Sequence, residues 1–201
     1  MVEIPEAHPD TIPLMAAVGE ALSAWSEAES IVSFFFAELS GMPSAHNAHI
    51  IMATVQRFEI RLQICNALIA DQELPAGFVA AWHNVFNRLT RHMKRRNELA
   101  HFQILKLTGD GKPDEVRLVP YFSYTSKGAR QPHLSWQDVQ LRTEKFHEVA
   151  YQMMWLFNEL RVLKGELPEN PLQEPRPGRL LRTQDGPAHE GTAHPPEPSR
   201  K

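Results

Sequence analysis

The stretch VGEALSAWSEAESIVSFFFAEL, residues 18–39, decides the fold class of this chain. Large apolar side chains recur in it at alternating steps of four and three residues, interrupted once by Glu29. That spacing predicts an amphipathic helix, and Gly41 and Pro43 predict where it ends. Three further stretches have helical periodicity, and their apolar seams cover residues 51–69, 82–100 and 146–163.

Helices of this length with short connections pack most simply as an antiparallel up-and-down bundle. We therefore predict a mainly α fold of four or five helices, within residues 14–165. The seam over residues 51–69 is unbroken and predicts one continuous second helix. Ser135, followed three residues later by Asp138, predicts the start of the last helix, because a serine hydroxyl accepts hydrogen bonds from free amides there.

The pattern changes between the last two long helices. The segments QILKL (103–107) and EVRLVPYF (115–122) alternate apolar and polar residues around the glycine-containing stretch TGDGKPD. Alternation of this kind on both sides of a turn predicts two strands. We expect a small β-hairpin insert at about residues 102–134, which includes the loop TSKGARQP.

The two ends of the chain differ from the bundle in composition. We interpret residues 1–13 as an N-terminal extension and residues 166–201, which contain eight prolines, as a disordered tail. We find no leader-like segment and no apolar run of the roughly 20 residues that span a bilayer. Cys65 is the only cysteine, which excludes an internal disulfide. We expect a cytoplasmic protein without membrane contact.

Charge is unevenly distributed although the net charge is only −3. Residues 1–56 contain seven acids and no Lys or Arg, whereas residues 88–96 contain five bases and no acid. Two interpretations stay open. Either an acidic helix packs beside a basic one, or the basic run is a surface that binds a polyanion such as nucleic acid.

Two charged residues interrupt the apolar seams, namely Glu29 and Arg96. A charge removed from water costs several kcal/mol unless it is paired, so each must meet an opposite charge or face a wet cavity. Arg61, beside the second seam, and Arg96 can both reach toward Glu29. We therefore treat Glu29 and Arg61 as candidates for a structural ion pair.

The stretch KRRNELAHF, residues 94–102, carries the candidate site. Asn97 and His101 are four residues apart and share one helix face, and the long side chain of Arg96 can converge on it. These groups suit RNA cleavage, since a histidine moves the protons, a guanidinium neutralises the phosphate oxygens and an amide orients the reactants. Such a site requires no metal ion, so we expect no metal and no other cofactor.

The segment Arg96-Asn97-Glu98-Leu99-Ala100-His101, at the end of the third long helix of a bundle, resembles the motif of the HEPN superfamily (higher eukaryotes and prokaryotes nucleotide-binding domain). The resemblance implies a metal-independent endoribonuclease that leaves a 2′,3′-cyclic phosphate. It also implies a homodimer with a shared cleft, and a toxin or defence effector, with an antitoxin or other protein partner. Other members bind a nucleotide or act as scaffolds without catalysis. The implied roles are catalytic for Arg96 and His101, supporting for Asn97, and RNA-backbone binding for Arg91, Lys94 and Arg95.

Further patterns leave alternatives to this site. His46 and His49, three residues apart, can both face a metal ion, but no third ligand is near them in sequence. Arg142 and His147 repeat the spacing of Arg96 and His101, but Thr143 stands in place of the asparagine. The run of three phenylalanines at 34–36 cannot all face one core, because successive helical residues point about 100° apart. We expect this run to contribute to a dimer interface, unless the N-terminal segment covers it.

Overall fold

A computed structural model describes residues 8–109, 112–120 and 133–175 of the chain. These residues form five helices and one two-stranded antiparallel sheet, which lies between the last two helices, and the predicted fold class is confirmed. In chain order the elements are α1 (Thr11–Leu39), α2 (Ala45–Thr54), α3 (Phe58–Ala70), α4 (Ala76–His101), β1 (Phe102–Gly109), β2 (Lys112–Pro120) and α5 (Trp136–Leu163).

The five helices alternate in direction along the bundle. Helix α3 runs parallel to α1, because Phe58 packs on Trp25 at one level and Gln72 donates to the carbonyl of Leu39 further along. Helix α4 runs the opposite way, since its early residue Trp82 contacts Phe35. Helix α5 again follows α1 and makes the most extensive packing contact with it. The chain is therefore an up-and-down bundle in which the first and last helices are parallel neighbours.

The second predicted helix is divided in the structure, which corrects the prediction of one continuous segment. Helix α2 ends at Thr54 and α3 begins at Phe58, with Val55 and Arg57 in extended conformations. No glycine or proline marks this break. The carbonyl of Val55 accepts a hydrogen bond of 2.7 Å from Arg61 Nε, which satisfies the end of α2. The chain reverses direction at this point, so that α3 again runs parallel to α1.

The buried face of α1 matches its predicted seam only in part. Trp25, Val32 and Leu39 of the predicted seam are buried, whereas Val18, Leu22 and Phe36 are only partly buried and flank the core. The most deeply buried positions include small residues that allow neighbouring helices to approach closely. The buried row, again at steps of three and four, consists of Leu14, Ala17, Ala21, Ala24, Ala28, Ile31 and Phe35.

The hairpin is attached to the bundle through its second strand. Phe102 pairs with Pro120 and Leu107 with Glu115, with an irregularity before Gly109. Val116 and Leu118 belong to the buried core. The backbone of Leu118 also exchanges two hydrogen bonds of 2.9 Å with Leu134, which brings the chain back to the start of α5. The predicted loop at residues 125–132 lies outside the described residues.

The predicted start of α5 has the expected geometry, and a glycine follows its last turn. The Ser135 hydroxyl accepts from the amide of Asp138, and the Asp138 carboxylate accepts from the amide of Ser135, which is a complete capping box. Gly165, with φ of 76°, follows the helix. Beyond it, residues 166–175 return toward α5, where Asn170 donates to the carbonyl of Trp155. The rest of the predicted tail, 176–201, and residues 1–7 lie outside the described part of the chain.

No helix among residues 8–109, 112–120 and 133–175 combines the length and the apolar character needed to cross a membrane.

Candidate functional site

An open cavity of about 590 Å³ lies where α1, the start of α3 and the second half of α4 meet. Arg96 and Asn97 of the predicted site line it, together with Glu29. Its remaining lining residues are Trp25 from α1, Gln56, Arg57, Phe58, Glu59 and Arg61 from the break and α3, and Met93 from α4. The break between α2 and α3 and the first turn of α3 together contribute half of the lining.

The apolar floor of the cavity explains how Glu29 is accommodated in the first helix. Trp25 and Phe58 pack edge to face with ring centroids 5.0 Å apart, and both are buried. The indole Nε1–H of Trp25 donates a hydrogen bond of 2.6 Å to Glu29 Oε1. The carboxylate is therefore held by a neutral donor one helical turn away and faces the cavity.

The predicted ion pair between Glu29 and an arginine is not formed. Among the described residues, no carboxylate oxygen lies within 4.0 Å of a nitrogen of Arg61 or Arg96. Arg61 is engaged instead with the end of α2, and Glu29 with Trp25. The side chain of Arg57 likewise has no ion-pair or hydrogen-bond partner in the described part of the chain. Three guanidinium groups consequently share the cavity without a neutralising contact.

Arg96 has an unsatisfied donor. Its Nη1 donates a weak hydrogen bond of 3.3 Å to Asn97 Oδ1, whereas its Nε is buried and has no partner. A buried N–H of a charged group without an acceptor costs free energy that an incoming acceptor can recover. The Arg96 and Asn97 side chains are therefore brought together, as the sequence predicts, with donor capacity to spare.

His101 is exposed at the last position of α4 and does not line the cavity. Five residues separate it from Arg96, which corresponds to about 7.5 Å along the helix axis and about 140° around it. Asn97 lies between the two in angle, at about 100° from Arg96. A ligand that extends from the cavity past Asn97 reaches the side of α4 that carries His101.

The predicted RNA-binding residues of α4 divide between two sides of the helix. Arg91, Lys94 and Arg95 are all exposed, and none is in an ion pair within the described residues. By helical geometry Lys94 falls within about 20° of His101, whereas Arg91 and Arg95 lie on the side that faces away from the cavity. Only Lys94 adjoins the surface between the cavity and His101.

The acidic helix α1 does not neutralise the basic run. Within residues 88–96 only Arg88 makes an ion pair, and its partner is Glu148 of α5, at 2.7 Å. Burial acts to raise the pKa of Glu148, but hydrogen bonds from Arg88 and Lys145 outweigh it and lower the pKa below the usual value. Of the two interpretations of the charge pattern, this geometry favours a polyanion-binding surface.

His92 is a polar core residue that the sequence analysis did not single out. It is only 7% exposed, its ring packs edge to face on Phe146 at 5.7 Å, and its Nδ1 has no partner. Burial is the largest cause that lowers its pKa to about 4, and three neighbouring arginines of α4, Arg95, Arg88 and Arg91, act in the same direction. His92 follows buried Leu89 by three residues on α4, and this spacing is the sequence signal that could have identified it as a core residue.

Helix α5 fixes the end of α4 that carries the motif. Arg142 forms an ion pair of 2.7 Å with Glu98, inside the motif, and donates to the carbonyl of Arg95 at 3.1 Å. Arg142 and His147, the second pair with the motif spacing, therefore have different roles, because Arg142 binds α4. His147 is exposed and lies 3.6 Å from Glu27.

The phenylalanine run at 34–36 and the two histidines of α2 are the remaining candidates from the sequence. Phe35 is fully buried and Phe36 partly buried, whereas Phe34 is 38% exposed and leans on Phe157. His46 and His49 are both exposed on α2. Within the described residues, no group of three or more His, Cys, Asp or Glu side chains is arranged to hold a metal ion.

Comparisons with protein-family models, with curated proteins and with solved structures found no match to this chain. Fold and site together define a five-helix bundle with an arginine-lined cavity beside the end of its fourth helix.

Proposed function

We propose that this protein is a HEPN-like endoribonuclease that cleaves RNA without a metal ion. The observation that carries the proposal is the state of Arg96. Its guanidinium is free of carboxylates, faces an open cavity beside Asn97, and belongs to the same helix end as the exposed His101. A nuclease of this kind needs the arginine available for phosphate and the histidine available for proton transfer.

The proposed reaction is an attack of a ribose 2′-oxygen on the neighbouring phosphorus. The 2′-oxygen loses its proton and forms a bond to phosphorus, while the bond from phosphorus to the 5′-oxygen breaks. The departing 5′-oxygen takes up a proton, and the other strand end keeps a 2′,3′-cyclic phosphate. His101 exchanges one of these protons, Arg96 neutralises the negative charge that builds on the non-bridging oxygens, and Asn97 orients the guanidinium.

A homodimer completes this proposal. Proton removal and proton donation are two tasks, and each chain offers one His101, so a second copy supplies the second imidazole in a shared cleft. The toxin or defence role, an antitoxin partner and a cytoplasmic location follow from the family resemblance and remain part of the proposal. RNA recognition at the cavity, by contrast, is supported by the chain's own charges.

Cleavage of a mixed-sequence single-stranded RNA in excess EDTA tests the nuclease proposal. We expect cyclic-phosphate ends with the wild-type protein and a loss of at least about 100-fold in rate for His101→Ala, the usual contribution of a positioned acid or base. His83→Ala is the matched control, because His83 is exposed on the same side of α4 five turns away. His147→Ala controls for the second motif-like pair. Equal cleavage by wild type and His101→Ala contradicts the assignment of His101.

The second candidate function is a non-catalytic module that binds a nucleotide. The observation that favours it is the composition of the cavity, which gathers Arg57, Arg61 and Arg96 but not His101. Binding without chemistry requires only the arginines. Absence of cleavage by the wild-type dimer, with retained binding of nucleoside monophosphates, selects this function over the nuclease.

A further inference from the structure

We propose that the cavity between α1, α3 and α4 is a ribonucleotide subsite in which Arg57, Arg61 and Arg96 bind one phosphate. This inference deepens the proposed function, on which it rests, because it assigns where the RNA strand is held next to the cleavage point. Two of the three residues lie outside the motif, Arg57 on the break between α2 and α3 and Arg61 in the first turn of α3. The strand then runs from the cavity past Asn97 toward Lys94 and His101.

The cavity gathers positive charge without a direct counter-ion from the part of the chain that the structure describes. The three guanidinium groups line one cavity and, among the described residues, none contacts a carboxylate within 4.0 Å. Like charges gathered in this way repel each other, and a bound anion converts the repulsion into attraction. Guanidinium groups suit a phosphate in particular, because their planar donors match its oxygens in pairs.

The three arginines also offer unused hydrogen-bond donors. Arg96 has a buried Nε without an acceptor, and the guanidinium of Arg57 makes no hydrogen bond within the described residues. Arg61 uses Nε for the Val55 carbonyl but leaves its terminal nitrogens free within that same part of the chain. The first turn of α3 also begins at the cavity without a side-chain cap, so its amides add positive potential.

Two carboxylates in the cavity indicate what else the ligand contains. Glu29 and Glu59 line the same cavity, and their carboxylates disfavour a densely charged anion such as a polyphosphate. Carboxylate oxygens accept hydrogen bonds from hydroxyl groups, which a ribose supplies beside its phosphate. The volume of about 590 Å³ lies within the range of roughly 300–1,000 Å³ that is typical of small-molecule sites.

The test is RNA binding, measured separately from cleavage. Fluorescence anisotropy of a labelled mixed-sequence single-stranded RNA is recorded in EDTA, with full-length protein that carries His101→Ala so that the strand stays intact. Adding Arg57→Gln or Arg61→Gln is expected to weaken binding by about tenfold each, the effect of losing a charge-assisted contact. The slope of log affinity against log salt should fall by up to about 0.7.

Two comparisons keep the test decisive. Arg161→Gln removes a partly buried arginine at the far end of α5 and is expected to change the affinity by less than about twofold. Arg61→Gln also removes the hydrogen bond to Val55, so thermal unfolding of that variant is measured first. Arg57 has no such contact, and Arg57→Gln tests the subsite without disturbing the turn.

The outcomes separate the two proposals. RNA affinity that depends on Arg57 and Arg61, with no cleavage by the wild type, supports the subsite and removes the nuclease. Binding of nucleoside 5′-monophosphates but not RNA, with the same dependence, supports a free nucleotide as the source of the phosphate. Affinity of Arg57→Gln equal to that of the parent, or no binding of either ligand, overturns the subsite even if the wild type cleaves RNA.

Discussion

Two titratable residues of this bundle, Glu29 and His92, have sharply different surroundings. Glu29 is accommodated at a helix seam because Trp25 donates a hydrogen bond to it and a cavity lies in front of it. His92, on the core side of α4, has no such opening and is held neutral by burial and by neighbouring arginines. Arginines of the basic run at residues 88–96 thus make protonation of His92 unfavourable.

The pH dependence of stability should reveal His92. Its pKa is about 4 when folded and near the ordinary value of 6.5 when unfolded, so between these values the unfolded chain binds the extra proton. The free energy of unfolding is therefore expected to fall as the pH is lowered from about 6.5 to 4, by about 2 kcal/mol after allowing for solvent screening.

Urea unfolding at several pH values between 7 and 4 measures this effect. In His92→Leu the buried imidazole is absent, and the fall attributable to it should disappear. His83→Leu, at an exposed position of the same helix, should leave the pH profile unchanged. A His92→Leu profile as steep as that of the wild type would show that other groups cause the loss.

At the scale of elements, helix ends are set by local backbone chemistry. Helix α1 ends where Gly41 takes a left-handed conformation with φ of 64°, and the amide of Met42 bonds back to the carbonyl of Ala37. An added Cβ at Gly41 meets no atom within 4 Å, so only backbone strain opposes a larger residue there. Gly19, inside the same helix, has equally open surroundings and no positive φ.

The two glycines should respond to alanine with opposite signs. Gly41→Ala is expected to lower the free energy of unfolding by about 1 kcal/mol, because a left-handed conformation is unfavourable for alanine. Gly19→Ala is expected to raise it by about 0.5–1 kcal/mol, because alanine loses less conformational entropy in a helix interior. Chemical denaturation of both variants gives the comparison. Stabilisation by Gly41→Ala would contradict the proposed end of α1.

At the scale of the whole molecule, His101 and the exposed Phe34 lie at different heights along the bundle axis. Glu29 and Arg96 share the cavity, and from there Phe34 and His101 lie five residues away in opposite directions, since α1 and α4 are antiparallel. Their levels along the bundle differ by about 15 Å. A dimer with a shared His101 cleft therefore does not require Phe34 in the same contact.

Light scattering during size-exclusion chromatography tests the dimer at micromolar concentration. We expect a particle of twice the monomer mass, and we expect Phe34→Ser to favour the monomer, because an exposed aromatic side chain contributes apolar area to an interface. Ile50→Ser, at an exposed apolar position of α2, is the matched control. A wild-type protein that is strictly monomeric would contradict the shared-cleft mechanism. A Phe34→Ser variant that stays fully dimeric would show that the interface does not depend on Phe34.

Part of the candidate site could be predicted because it depends on neighbours in sequence. Arg96 and Asn97 are adjacent on α4, and their meeting at one surface follows from helical geometry. The sequence also predicts Arg61 near Glu29, whereas the contribution of Arg57 could not be predicted, since it depends on a chain reversal without glycine or proline. The partners of Glu29 likewise required the structure, because an indole donor one turn away competes with arginines on other helices.

The sequence by itself determined four helical segments, the capped start of α5, the hairpin and the position of the motif at the end of α4. These features depend on periodicity and on the backbone groups of nearby residues, both of which are local. Only the tertiary structure decided which row of α1 is buried, where the second segment turns and which arginines share a cavity. Those outcomes depend on how closely helices approach, and small residues such as Ala21 and Ala24 decide that distance without a strong apolar signal.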